Sequence, residues 1–262
     1  MQQLSSILLV ISLAGLSCQP APSNPSAETD GDTVLAADTT RNQLSAEESE
    51  SGWQLLFDGR SVDAWRGYNR DSMPAAGWVA EDGELVVLHP PDPRPDDFGG
   101  DIITREKFGN FELSIDFLLS DSANGGIFYF VMEEQGRSIW NNAPEYQLID
   151  EAVYAALLKD FDMDTHRTGD NYDMEASAGQ YMEPVGSWNT ARIVHQDGKV
   201  EHWLNGRRCL GYEVGSEQWT AQLERSKFKE YPNYARAKEG HIGLQDHGHE
   251  IRFRNIKIRK LP

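Results

Sequence analysis

The stretch Phe111-Glu112-Leu113-Ser114-Ile115-Asp116-Phe117 alternates apolar and polar residues without a slip. Successive side chains of an extended strand point to opposite faces, so Phe111, Leu113, Ile115 and Phe117 share one face and need a core behind it. Working outward, Glu84-Leu85-Val86-Val87-Leu88 and the run from Ile127 to Met132 carry the same branched and aromatic bias. Ala191 to Leu204 reads as two strands around Gln196-Asp197-Gly198-Lys199, where Asp-Gly is a strong hairpin turn. Asn205-Gly206 turns the chain again, into Arg207 to Tyr212. Only Ala152 to Lys159 and Gln218 to Lys229 suggest helix, and both are short. Many short strands with regular turns imply an all-β sandwich or barrel.

The ends lie outside this pattern. Residues 4 to 17 form an apolar run too short for a bilayer span, and residues 1–18 are expected to be a signal peptide. Cys18 at its end suggests lipidation after cleavage, although Gly15 stands where Leu is usual and the first six residues carry no Lys or Arg. Residues 19–50 contain seven Asp or Glu against the single Arg41 and no aromatic residue, which predicts a disordered acidic linker. Together these place the protein in the periplasm or at the outer membrane, touching the membrane only through a lipid anchor. An ordinary secretory signal cut nearby, with Cys18 not lipidated, would instead leave a secreted protein. Residues 51–262 then form one domain. The net charge of −18 argues against nucleic acid and against polyanionic substrates, leaving neutral ligands. Cys209, in Arg208-Cys209-Leu210, reads as a small buried hydrophobe, so the core and not a disulfide holds the domain.

Two segments devote a strand face to polar groups. Gly240-His241-Ile242-Gly243-Leu244-Gln245-Asp246-His247-Gly248 puts His241, Gln245 and His247 on one face, with Ile242 and Leu244 on the other. Glu145-Tyr146-Gln147-Leu148-Ile149-Asp150 sets Glu145 and Gln147 against Tyr146 and Leu148. Such faces pack poorly and grip polyhydroxylated ligands well.

Together with Asn124-Gly125-Gly126-Ile127-Phe128-Tyr129 and Gly186-Ser187-Trp188-Asn189, these segments make the chain resemble the 3-keto-disaccharide hydrolase domain family. The resemblance runs from about Gly52 to Leu261. It takes in Leu55-Leu56-Phe57-Asp58-Gly59 with Trp65, Trp78 with Asp82-Gly83-Glu84-Leu85, and Phe108-Gly109-Asn110-Phe111-Glu112-Leu113. Thr168-Gly169-Asp170-Asn171-Tyr172-Asp173, His202-Trp203-Leu204-Asn205-Gly206 and Lys227-Phe228 extend it. It implies a concanavalin A-like jelly roll of two curved antiparallel sheets, with ligand on the concave one. The implied activity is cleavage of 3-keto-glycosides.

A ketone at C3 acidifies the hydrogen at C2, and the resulting enolate can expel the glycosidic oxygen from C1. That chemistry needs a base over C2, a stabiliser for the enolate oxygen and an acid near the leaving oxygen. Glu145 or His247 is the expected base, with a metal or the amides of Gln147 and Gln245 stabilising the oxyanion. Asp150 could orient a neighbour or simply cap a turn. Trp140 is expected to stack on the sugar, with Tyr172 and Tyr129 near the cleft and Lys227 reaching a hydroxyl or the keto oxygen. Trp188 and Trp203 read as core. No cofactor is required outright, but a divalent metal is open: His247 and His249 have the spacing of a ligand pair. Asp160, Asp162 and Asp164 imitate a calcium-loop opening, although Thr165 and Asn171 at its sixth and twelfth positions exclude an EF-hand. The chain contains no dinucleotide-binding glycine motif, P-loop, His-Glu-x-x-His or Gly-x-Ser-x-Gly, so a separate sugar 3-dehydrogenase would have to make the oxidised saccharide upstream. The competing readings are a non-catalytic carbohydrate-binding protein and a structural envelope protein.

Overall fold

The computed structural model describes residues 40–157 and 163–262. Among the described residues, thirteen strands form two antiparallel sheets. The larger is ordered β11 (Arg207–Glu213), β10 (Lys199–Leu204), β9 (Trp188–Gln196), β6 (Phe111–Leu119), β13 (Ile251–Lys260), β4 (Glu84–Val87), β3 (Trp78–Glu81), with β1 (Trp53–Leu55) also paired to β13. The smaller is ordered β2 (Trp65–Gly67), β5 (Ile102–Thr104), β12 (His241–Leu244), β7 (Asn124–Val131), β8 (Glu145–Ile149).

The alternation in β6 is satisfied as its sequence demands: Phe111, Leu113, Ile115, Phe117 and Leu119 are all buried in the core between the sheets. Asp82-Gly83, Asp197-Gly198 and Asn205-Gly206 join consecutive strands with both central residues at positive φ, the two-residue turn whose twist suits a hairpin. Two helices, α2 (Glu151–Leu157) and α3 (Glu217–Arg225), lie close to the two expected segments, and a 3-10 turn at Lys227–Glu230 completes the second.

Three expectations are corrected. Residues 40–50 belong to the fold: α1 (Ala46–Glu50) starts in a Ser45–Glu48 capping box. Upstream of it, the Asn42 and Asn255 side-chain oxygens each accept the other's backbone N–H, at 2.8 and 2.7 Å. Low aromatic content marked this segment as linker, but hydrogen bonds rather than apolar burial hold it. Residues 1–39, with Cys18, and residues 158–162, with Asp160 and Asp162, lie outside the described residues.

Trp188 and Trp203 are not core. Both face outward from the large sheet, where Arg254 and Arg192 stack on them at 3.9 and 4.9 Å. Tyr129, expected near the cleft, faces inward instead. Its hydroxyl meets His202 Nε2 at 2.8 Å and the Tyr212 hydroxyl, while His202 Nδ1 lies 3.0 Å from the Gly169 carbonyl. A carbonyl can only accept, so His202 carries its proton on Nδ1 and accepts from Tyr129 at Nε2. Every member of this buried set is thereby partnered. Burial holds the His202 pKa down to about 4.

Candidate active site

The small sheet has an apolar inner face and a different outer one. Tyr146 and Leu148 of β8, Ile127 and Tyr129 of β7, and Ile242 and Leu244 of β12 enter the core. The register then dictates what stands outside. Gly243, Phe128 and Glu145 form one cross-strand row, and Gln245, Gly126 and Gln147 form the next. The two polar faces expected from sequence thus lie on neighbouring positions, with a glycine between them.

Gly126 is what lets Glu145 work. A Cβ there would lie 2.2 Å from the Glu145 Oε1 atom, so the carboxyl occupies the space that any other side chain would fill. Glu145 is buried, and among the described residues its carboxylate has no hydrogen-bond partner. Burial pushes its pKa up to about 8, against the opposing attraction of Lys227 and with a smaller repulsion from Asp101. The Oε1 atoms of Gln147 and Gln245 are likewise buried and unpartnered. Acceptors left open in this way are suited to a ligand's hydroxyl groups.

Segment 168–173 runs along the exposed edge of β8 and covers it. Gln147 N–H donates to the Asp170 carbonyl, Gly169 N–H to that of Gln147, and Tyr172 N–H to that of Glu145. The last bond sets Tyr172 beside the carboxyl. The Asp173 carboxylate accepts from the Lys227 backbone N–H at 2.7 Å, which anchors the start of the 3-10 turn. Lys227 is an exposed residue overall, yet its Nζ lies 4.4 Å from the centre of the Tyr172 ring and 4.7 Å from that of Trp140. Desolvation there pulls the ammonium below the usual lysine pKa, while Glu145 and Asp173 pull the other way. Tyr172, raised to about 12 mainly by burial, stays a neutral donor.

These groups enclose one cleft of about 130 Å³, lined by Asn124, Trp140, Glu145, Gln147, Tyr172, Lys227, Gln245 and His247. Against the ~300–1,000 Å³ of common ligand clefts it is small, with room for a single sugar ring. Seven of the eight residues were expected from sequence as site residues, Glu145 and His247 among them; Asn124 was quoted only as part of a motif.

Other expected residues lie elsewhere. His241 is on the same outer face but beyond the Gly243 row, with Nδ1 3.3 Å from the Glu106 carbonyl. Asp150 is a cap: its carboxylate accepts from Ser122 N–H at 2.9 Å and Val153 N–H at 3.3 Å, the latter at the start of α2. His249 is turned away from the cleft because the strand ends at Leu244 and Gly248 takes φ +89°. Its ring lies nearly parallel to that of His247, 13° apart, instead of converging on a common point. Asp164 pairs with Arg167 at 3.0 Å. Among the described residues no cluster of three or more His, Cys, Asp or Glu is arranged to hold a metal.

The sequence reading missed what fixes His247. Asp246 Oδ2 accepts from Gly100 N–H at 2.7 Å and from Arg94 at 2.6 Å, and Oδ1 accepts from Gly248 N–H at 3.0 Å. Its own N–H donates to Asp101, a half-buried residue whose carboxyl desolvation raises to about 6. The Asp246–Gly248 bond is an Asx turn, whose Asp-x-Gly signature stands in the sequence. A larger cleft of about 960 Å³ beside α3 gathers Phe130, His195 and Trp219, but both His195 nitrogens are engaged, with the Gly109 carbonyl and Gly198 N–H.

A two-sheet jelly roll with one sugar-sized polar cleft on its smaller sheet defines a carbohydrate-processing β-sandwich. Residues 52–259 match the 3-keto-alpha-glucoside-1,2-lyase-like domain, and the chain belongs to that family. It is 33% identical over 270 residues to a 3-keto-disaccharide hydrolase of Bacteroides thetaiotaomicron, covering 95% of this chain and 91% of that one. A crystal structure of a candidate glycosyl hydrolase from Parabacteroides distasonis superposes with a TM-score of 0.73 at 30% identity, over 85% of this chain and all of the other. A second from the same organism gives 0.58 at 23% identity, over 80% and 99%.

Proposed function

We propose that the protein cleaves 3-keto-glycosides by removing the proton at C2 and eliminating the glycosidic oxygen from C1, with water adding afterwards where the net outcome is hydrolysis. Family membership supports this reading, and one observation carries it. Glu145 is a buried, unpartnered carboxyl opening onto a cleft for one sugar ring, with the Lys227 ammonium as its strongest charged neighbour. C2 and C3 are adjacent carbons, so a base and a group that polarises the ketone must also be neighbours. Glu145 serves as the base and Lys227 meets the carbonyl. His247, on the same cleft, protonates the departing oxygen. Gln147, Gln245 and Asn124 bind hydroxyls, and Trp140 and Tyr172 flank the ring.

Ordinary glycoside hydrolysis calls for two carboxyls, ~5–9.5 Å apart across the anomeric carbon. Here Glu145 is the only carboxyl among the described residues lining the cleft. A purely binding protein would have no use for an acid kept at such a cost in desolvation. The test is incubation with a 3-keto-glycoside in deuterated water. Release of the aglycone with deuterium entering at C2 is expected, and an intact, unexchanged glycoside would overturn the reading. The oxidised substrate implies a sugar 3-dehydrogenase acting first. Lipid anchoring at Cys18 in the cell envelope completes the proposal: a palmitate analogue should label the wild type and not Cys18→Ala.

A further inference from the structure

The structure points to a covalent role for Lys227: we infer that its amine condenses with the substrate ketone, so that the C2 proton leaves from an iminium ion and not from the free ketone. This rests on the 3-keto reading above and deepens it.

Three features of the site carry the inference. The Lys227 Nζ atom sits among rings, 4.4 Å from the Tyr172 centroid, 4.7 Å from Trp140 and 5.2 Å from Phe228. Among the described residues no carboxylate forms a salt bridge with it: the nearby Asp173 takes the Lys227 backbone N–H at 2.7 Å and faces His166 Nε2 at 3.4 Å. A lysine meant only to supply charge is best served by a paired, hydrated site, whereas an amine that must lose its proton and attack needs desolvation. The second feature is the cage itself. Aromatic faces favour any cation, and an iminium keeps the positive charge on the same nitrogen after the bond has formed. The third is Glu145, which lines the same cleft and among the described residues has no hydrogen-bond partner to hold it in one protonation state.

The steps balance. When the pair has lost one proton, it can hold the Glu145 carboxylic acid beside a neutral Lys227 amine. The amine nitrogen bonds to C3, and the carbonyl oxygen leaves as water with two protons, one from the amine and one from Glu145. An iminium and the Glu145 carboxylate result. That carboxylate takes the proton from C2, and the C–H pair becomes the C2=C3 bond of an enamine. The enamine pushes out the C1 oxygen, which takes a proton from His247, and leaves an unsaturated iminium. Water adds to C3, the C3–N bond breaks, and the enone departs. The Lys227 ammonium so formed returns one proton to His247. Nothing is oxidised or reduced.

The experiment uses the full chain, a nitrophenyl 3-keto-glucoside and cyanoborohydride. Intact mass and peptide mapping should find the reduced sugar adduct on Lys227, and turnover should stop as the adduct accumulates. Lys227→Arg keeps the positive charge but cannot form the imine, and its kcat should fall ~100-fold or more. Release of nitrophenol with no adduct on Lys227 would overturn the covalent step and leave the elimination standing, as would near-normal turnover by Lys227→Arg. No release and no adduct would overturn both. Because the adduct is sought on the wild type, misfolding of a variant cannot mask the answer.

Discussion

Glu145 shows how much a single residue can be asked to give up. Its pKa of about 8 stands above the ordinary 4.5, so the folded state binds its proton more tightly than the unfolded chain does. The stability linked to this proton is fully present below about pH 4.5 and is lost as pH rises through about 8. Glu145→Gln removes that loss. The variant should therefore gain on the wild type by a few kcal/mol, on the order set by ~1.4 kcal/mol per pKa unit, when urea unfolding is compared at pH 5 and pH 9. It should also lose ~100- to 10,000-fold in turnover. In the wild type kcat/KM should climb as pH rises toward about 8, the point at which the Glu145–Lys227 pair sheds its first proton. A rate that is flat across that range would remove Glu145 from the role of base. Gly126→Ala tests the same carboxyl from the opposite side. Its new Cβ, 2.2 Å from Oε1, must displace the acid, and kcat should drop while the circular dichroism spectrum stays native.

Strands carry the part of the design that was legible in advance. The alternation of Phe111 to Phe117 gave an inward face, and Leu113→Ala on it should cost roughly 2–5 kcal/mol in unfolding free energy without a selective loss of chemistry. Glu145 and Gln147 opposite Tyr146 and Leu148 were readable for the same reason, since a period of two assigns faces unaided. What alternation does not give is which face meets the core when both carry rings. Trp188 and Trp203 look as apolar as Phe117, and what explains why they stay outside is Arg254, distant in sequence from Trp188, and Arg192, the cross-strand partner of Trp203. Asp150 was ambiguous because a carboxylate at a strand end can cap a helix or face a ligand, and the neighbours that decide it are backbone N–H groups. The Asp246 clamp was hidden for a related reason. Its partners Gly100 and Arg94 lie some hundred and fifty positions earlier, and no local pattern announces them.

At the scale of the whole molecule, a second buried group answers to acid, in the opposite sense to Glu145. His202 is neutral in the core and held to about 4, below its ordinary 6.5. The stability it contributes is present above about pH 6.5 and is lost as pH falls through about 4, where the buried imidazole must take up charge. Because the Glu145 contribution changes in the opposite sense over this range, that of His202 is read as a difference: the unfolding free energy of the wild type minus that of His202→Asn should shrink as pH falls from 7 to 4. Cys209, its thiol pushed up to about 12 by burial, should resist iodoacetamide until the protein unfolds. The Asn42–Asn255 exchange bears on mechanics. It fastens the first described residues to β13, a strand hydrogen-bonded to β6, β4 and β1. A pull on Asn42 would thus be delivered to an interior strand with neighbours on both sides. The load would be shared across the large sheet and kept away from β7, β8 and β12, so tension there need not distort the cleft.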